Sequence, residues 1–215
     1  MNELTKRGLL LGGGALAAFG AAGVVTTMLG GDAQAAVATG ARAPSFSVQD
    51  SSGATRTLAE FRGRTVVLEW TNHGCPYVRK HYDARNMQTL QQEATGNGIV
   101  WLQIISSAPG EQGYLDAAGA RARVQTDGAA PTATLLDPTG VVGRAYGAMT
   151  TPHMFVINGE GVLLYQGAID DRPSARASSL EGANNYVRAA LTDIAAGRAV
   201  RTAETTPYGC SVKYA

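Results

Sequence analysis

The reactive side chains of this 215-residue sequence converge on one short stretch, Thr71-Asn72-His73-Gly74-Cys75-Pro76. It follows the β-branched and aromatic run Thr65–Trp70 and precedes a polar run from Pro76 to Glu93 that lacks glycine. The first run has the composition of a buried strand, and Pro76 suits the first turn of a helix, where its missing N–H costs nothing. Cys75 is therefore expected at the N-terminus of a helix. The free N–H groups and partial positive charge there favour thiolate over thiol, and such cysteines titrate anywhere from ~3.5 to ~7.5 rather than near ~8.5. Arg79, one turn further along the same face, would add positive charge. The chemistry expected of Cys75 is nucleophilic attack by sulfur.

The other cysteine is Cys210, in the tail segment Tyr208-Gly209-Cys210. Three relations to Cys75 stand open: a redox pair, in which the Cys210 thiol condenses with an oxidised Cys75; a static disulfide; and two independent thiols. A bond between them needs Cα atoms within about 7 Å, which a flexible tail from Thr205 to Tyr214 would allow. His73 and His153 have a side chain suited to orienting a thiolate or moving a proton, against the plainer reading of hydrogen-bonded loop residues. His81, within the helix, takes the plainer reading, and Arg79 and Lys80 also read as solvated helix charges. Cys75 with His73 or His153 would suit a soft metal ion, which makes a non-catalytic thiol or metal-binding module an alternative. Asp170-Asp171 is assigned to a polar loop. No haem, flavin or nucleotide motif is visible, and no cofactor is expected.

Positioning these residues requires an α/β sheet. Apolar runs at Ile99–Ile105, Thr132–Leu136, His153–Ile157 and Val162–Gln166 read as further strands, the last two joined by Asn158-Gly159-Glu160-Gly161 as a hairpin. Helices are expected over 116–125, 141–146 and 180–196, with Val187, Leu191 and Ile194 on one face of the last. A half-buried N-terminal strand over 44–50 and a short helical turn carrying Leu58 and Phe61 precede them. The order implies a mixed central sheet with helices on both faces.

Composition bounds the compartment and the partners. Lys plus Arg number 18 and Asp plus Glu 17, a formal charge of +1, so no global field draws the chain to nucleic acid. Residues 1–35 read as an export signal: a basic start, an uncharged Gly/Ala/Leu/Val stretch from Gly8 to Gly31, and the small-x-small pattern Ala33-Gln34-Ala35. Thr5-Lys6-Arg7-Gly8-Leu9-Leu10 resembles a twin-arginine motif with Lys in the first Arg position. The expected organisation is an export signal over 1–35, one domain over 36–200 and a tail over 201–215 carrying Cys210. The mature protein is expected in the periplasm or elsewhere outside the cytoplasm, without stable membrane association.

Phe46-Ser47-Val48-Gln49-Asp50, Gly63–Trp70, Gly74-Cys75-Pro76-Tyr77-Val78 and Thr151-Pro152 ahead of Phe155-Val156-Ile157 together resemble the redoxin branch of the thioredoxin fold. That branch includes the alkyl hydroperoxide reductase and thiol-specific antioxidant family, or peroxiredoxins, and the resemblance spans roughly residues 43–196. It implies that Cys75 is the attacking cysteine and Pro152, preceded by Thr151, a cis-proline facing it. The sequence departs from the pattern in three places. Val78 stands where a dithiol motif has its second cysteine, and Leu68 and Asn72 stand where peroxiredoxins carry Pro and Thr. Asn72 would supply an amide hydrogen bond in place of the hydroxyl. The resemblance implies a thiol-dependent oxidoreductase. Its leading form is a hydroperoxide reductase with Cys75 resolved by Cys210 and recharged by an external thiol reductant such as a thioredoxin-like protein. Its rival is thiol–disulfide exchange.

Overall fold

The structure, a computed structural model, describes residues 37–215. The export signal expected over 1–35 lies outside the described residues.

A short antiparallel pair, β1 (Ser47–Gln49) and β2 (Thr55–Thr57), leads through a 3-10 turn over Leu58–Phe61 into β3 (Val66–Trp70). Every residue of β3 is buried, as befits a strand covered on both faces. Next come α1 (Pro76–Asp83), α2 (Asn86–Gly96), β4 (Val100–Ile105), α3 (Ala117–Asp127), β5 (Ala133–Leu136) and α4 (Val141–Tyr146). The chain closes with β6 (Thr150–Thr151), β7 (His153–Ile157), β8 (Leu163–Gly167), a 3-10 turn at Ala177–Leu180, α5 (Tyr186–Ala195) and β9 (Cys210–Ser211).

The main sheet has the order β5-β4-β3-β7-β8, parallel across β5, β4 and β3 and antiparallel across β3, β7 and β8. Its two faces carry separate cores. One holds Trp70, Tyr146 and Phe155 with Val142 of α4; the other holds Val67 of β3, Cys75 just before α1, Met87 of α2, Met154 of β7 and Val187 of α5. The mixed sheet with helices on both faces is the architecture expected from the sequence.

Three expectations need correction. The polar run from Pro76 is two helices, broken at Arg85 in a left-handed conformation with φ 58°. The Tyr82 carbonyl freed by the break accepts from Arg85 N–H (3.0 Å) and Gln88 Nε2 (2.9 Å). The last helix starts at Tyr186, not Leu180, because Gly182 takes a left-handed φ of 66° and the Asn185 side chain caps Arg188 N–H at 2.8 Å. The tail is ordered: β9 pairs antiparallel with β6, Thr151 opposite Cys210 and Thr150 opposite Ser211.

Candidate active site

The register of the sheet builds the site. Trp70 at the end of β3 lies opposite His153 at the start of β7, so the loop after β3 and the peptide before β7 meet at one end of the sheet. The first delivers Cys75 as N-cap of α1; the second delivers the cis peptide Thr151–Pro152. The cis geometry is the one the resemblance implied.

Cys75 has no exposed surface. Its Sγ donates to the Thr151 carbonyl at 3.1 Å and accepts from Cys210 N–H at 3.4 Å. Burial pushes the Cys75 thiol up. The Cys210 thiol and N–H, the Val78 N–H and the Thr151 side chain outweigh it, leaving Cys75 below its ordinary value. Cys210 moves the opposite way, pushed up to about 11 by burial and by the neighbouring Cys75 sulfur. The two shifts run in opposite directions, so of the pair Cys75 gives up its proton more readily and Cys210 less. Both cysteines are free thiols.

Gly209 permits this closeness. Its φ is +143°, and a Cβ there would run into the Thr151 carbonyl oxygen and stand 2.8 Å from that carbonyl carbon. Only a residue without a side chain lets the tail lie flat on the Thr151–Pro152 peptide.

The other expected site residues divide. Asn72 is buried and committed to the loop: its Oδ1 accepts from Gly74 N–H (2.8 Å) and its Nδ2 donates to the Gln112 carbonyl (3.2 Å). It shapes the approach to α1, while its carbonyl accepts from Cys75 N–H at 3.0 Å. Arg79 points into solvent toward Asp83 at 3.5 Å, its side chain 59% exposed. His153 alternates with Met154, which shares the Cys75 core, so its ring falls on the opposite face of the sheet, 4.4 Å from Phe155. There its Nδ1 accepts from Met149 N–H (3.3 Å), and burial holds it down at about 4, neutral at physiological pH. The structure therefore brings together Cys75, Thr151, Pro152 and Cys210, with Asn72 behind them, and leaves Arg79 and His153 apart.

His73 borders a separate cavity of about 20 Å³ under α1, shared with Thr71, Tyr82, Gln103 and Arg123 but not with Cys75. That volume suits about one water. Burial, followed by Arg123, lowers the His73 pKa against the pull of Asp127. Among the described residues no three His, Cys, Asp or Glu side chains gather as a metal site would require.

Lys80 needs correction from a solvated charge to a buried one. Its Nζ donates to Asp170 Oδ2 (3.3 Å), the Arg172 carbonyl (2.8 Å) and the Tyr208 hydroxyl (3.0 Å). The sequence signal was weak: a lysine between Arg79 and His81 on a polar helix, with its partners 90 and 128 positions away.

The chain matches the AhpC/TSA family over residues 39–166. Among solved structures it is similar to a hypothetical protein from Sinorhizobium meliloti 1021, with 26% identity and a TM-score of 0.70, covering 84% of this chain and 96% of that one. It is also similar to an uncharacterized conserved protein from Geobacillus kaustophilus, with 23% identity and a TM-score of 0.71, covering 83% and 93%. A candidate thiol:disulfide interchange protein DsbE from Chlorobium tepidum shares the fold, with 22% identity and a TM-score of 0.50, covering 61% and 85%. No curated protein matches the chain. The architecture is thioredoxin-like.

Proposed function

This chain belongs to the AhpC/TSA family, and from that premise we propose that it is a thiol–disulfide oxidoreductase whose redox centre is the Cys75–Cys210 couple. Family membership supports thiol-dependent redox chemistry in general; the choice of substrate rests on the site. The observation that carries it is the backbone pairing of Cys210 with Thr151, which sets the Cys210 N–H on the Cys75 sulfur. An extended segment bearing a cysteine, added as a strand beside Thr151, is the arrangement a disulfide partner would need, and the tail already adopts it.

In the reaction the Cys75 thiolate attacks one sulfur of a disulfide, forming a mixed disulfide and expelling the other sulfur as a thiolate. The Cys210 thiol gives up its proton and attacks Cys75. A Cys75–Cys210 bond forms and the second substrate thiolate leaves, so two electrons pass from the protein dithiol to the substrate. An external dithiol, for which a thioredoxin-like protein is the natural class, returns them. The same steps run in reverse oxidise a partner.

Family membership also favours a second reading, in which a hydroperoxide oxidises Cys75 to a sulfenic acid and Cys210 condenses with it to release water. The site offers less for that step. Asn72 has both ends of its amide engaged, Arg79 faces solvent, and the largest influences on the Cys75 thiol are burial and hydrogen bonds.

Trapping separates the readings. Cys210→Ser exposed to an oxidised protein substrate should accumulate a mixed disulfide at Cys75, and exposed to hydrogen peroxide should yield little sulfenic acid by dimedone labelling. Rapid sulfenic acid formation without a mixed disulfide would overturn the first reading in favour of the second. We place the protein outside the cytoplasm, on the export pattern of residues 1–35, where cell fractionation should find it; among the described residues no helix is long and apolar enough to cross a membrane.

A further inference from the structure

The tail that brings Cys210 to Cys75 also closes the site. Cys75 has no exposed surface, and Cys210 lies over it with Gly209 flat on the Thr151–Pro152 peptide. An external disulfide needs both the sulfur and the edge of β6 that β9 now occupies. A two-residue strand is too short to hold such an edge alone, so its anchors set how firmly it stays.

The anchor on the N-terminal side is buried and charged. The Tyr208 hydroxyl donates to Asp170 Oδ1 and accepts from Lys80 Nζ at 3.0 Å. Lys80 and Asp170 are themselves paired at 3.3 Å, with side-chain exposures of 0% and 2%. Arg172 N–H donates to Asp170 Oδ1 (2.9 Å), and the Arg172 carbonyl accepts from Lys80 Nζ (2.8 Å). His81 from α1 faces Asp170 through Nε2 at 3.9 Å, while its Nδ1 meets the Asn86 amide at 2.8 Å. The Tyr208 ring packs edge-on against Tyr77 at 5.8 Å and lies 5.1 Å from Lys80 Nζ. Two residues before Cys210, the tail is thus fastened to an ion pair contributed by α1 and the loop after β8.

We propose that Lys80, Asp170 and Tyr208 form a latch that holds the C-terminal strand over Cys75, so that release of Tyr208 controls the access of external disulfides to the Cys75 sulfur. Lys80 and Asp170 are positioning residues acting through Tyr208; none of the three touches the reacting sulfurs. The inference rests on Cys75 being the nucleophile of the proposed reaction. It gives the tail two roles in sequence: it lifts to admit the substrate, then settles again to present Cys210 to the mixed disulfide.

The experiment measures alkylation of Cys75 in the reduced full chain by iodoacetamide, with the label located by peptide mass, alongside hydrogen exchange of the β3 amides. Tyr208→Phe removes only the hydroxyl and keeps the ring against Tyr77. Labelling of Cys75 should rise roughly tenfold to a hundredfold, the factor expected from losing hydrogen bonds to charged groups. Exchange in β3, which reports global opening, should stay at the wild-type rate. Wild-type labelling in Tyr208→Phe, or a rise matched by β3 exchange, would overturn the latch. Asp170→Asn strands the Lys80 ammonium and reads folding as well as latching, so Tyr208→Phe carries the test. If Tyr208→Phe opens Cys75 to iodoacetamide yet no oxidised protein substrate exchanges with it, the latch stands and the disulfide reading fails.

Discussion

Replacing Gly209 by Ala tests the close packing that the site depends on. The added Cβ would run into the Thr151 carbonyl oxygen and stand 2.8 Å from its carbon, and carbon contacts settle near ~3.5 Å, so the strand must retreat by at least about 0.7 Å or rotate away. The Cys210 N–H to Cys75 Sγ contact, already 3.4 Å, then passes out of hydrogen-bonding range. The Thr151 hydroxyl contact to the Cys210 carbonyl, also 3.4 Å, goes with it. Two such bonds are worth about 0.5–1.5 kcal/mol each, and an alanine at positive φ costs a further ~1–2 kcal/mol. The penalty of about 2–5 kcal/mol falls on the tail, because the five-stranded sheet does not include β9. Gly209→Ala is therefore expected to raise Cys75 alkylation by at least about tenfold and to slow closure of the Cys75–Cys210 disulfide, with the main thermal transition within a few degrees of wild type. Alkylation and disulfide closure both at wild-type rates would show that the Gly209 contact does not hold the tail on Cys75.

Three further outcomes follow from buried polar groups. Burial holds the Glu69 carboxyl up at about 7 against hydrogen bonds from Tyr82, Trp101 and Gln91. The unfolded chain ionises this group near 4.5 and the folded chain near 7. Its contribution is present below the first value and lost as pH rises through the second, by up to about 3 kcal/mol. Urea unfolding at mildly acidic and mildly alkaline pH should show that decline, and Glu69→Gln should flatten it; an equal slope in both proteins would contradict the assignment. Asn72→Ala unties the loop from Gly74 and Gln112 and should cost about 1–3 kcal/mol by denaturant unfolding. Wild-type stability in that variant would show that these two bonds do not hold the loop. Asp137→Ala strands the Ser106 hydroxyl and the Val142 and Gly143 N–H groups, and should cost about 2–5 kcal/mol without altering Cys75 reactivity.

Much of the frame was legible because local signals and tertiary structure agree. The buried run ending in Gly-Cys-Pro marks the β3–α1 junction, and Pro152 after Thr151 marks the facing peptide. What was not legible depends on partners far away in the chain. The break at Arg85 carries no Gly or Pro and is completed by the Gln88 side chain. Lys80 looks like any helix lysine until Asp170 and Tyr208 fold onto it. His153 follows the facing proline in sequence, yet strand alternation turns it to the opposite face from Cys75. The pairing of β6 with β9 involves only two residues on each side, too few for an alternating pattern to show. Gly209 directly before Cys210 was its one sequence signal, and its meaning appears only once Thr151 lies beneath it.

Everything proposed for the site depends on Cys75 and Cys210 acting as one dithiol–disulfide couple. Its most direct test is the intact mass and free-thiol count of the reduced chain after one equivalent of a disulfide oxidant, with Cys75→Ser and Cys210→Ser in parallel. Both thiols should disappear together with a mass decrease of about 2 Da and no adduct, and neither variant should show that decrease. Retention of both thiols, or a stable adduct on Cys75 while Cys210 stays free, would contradict it.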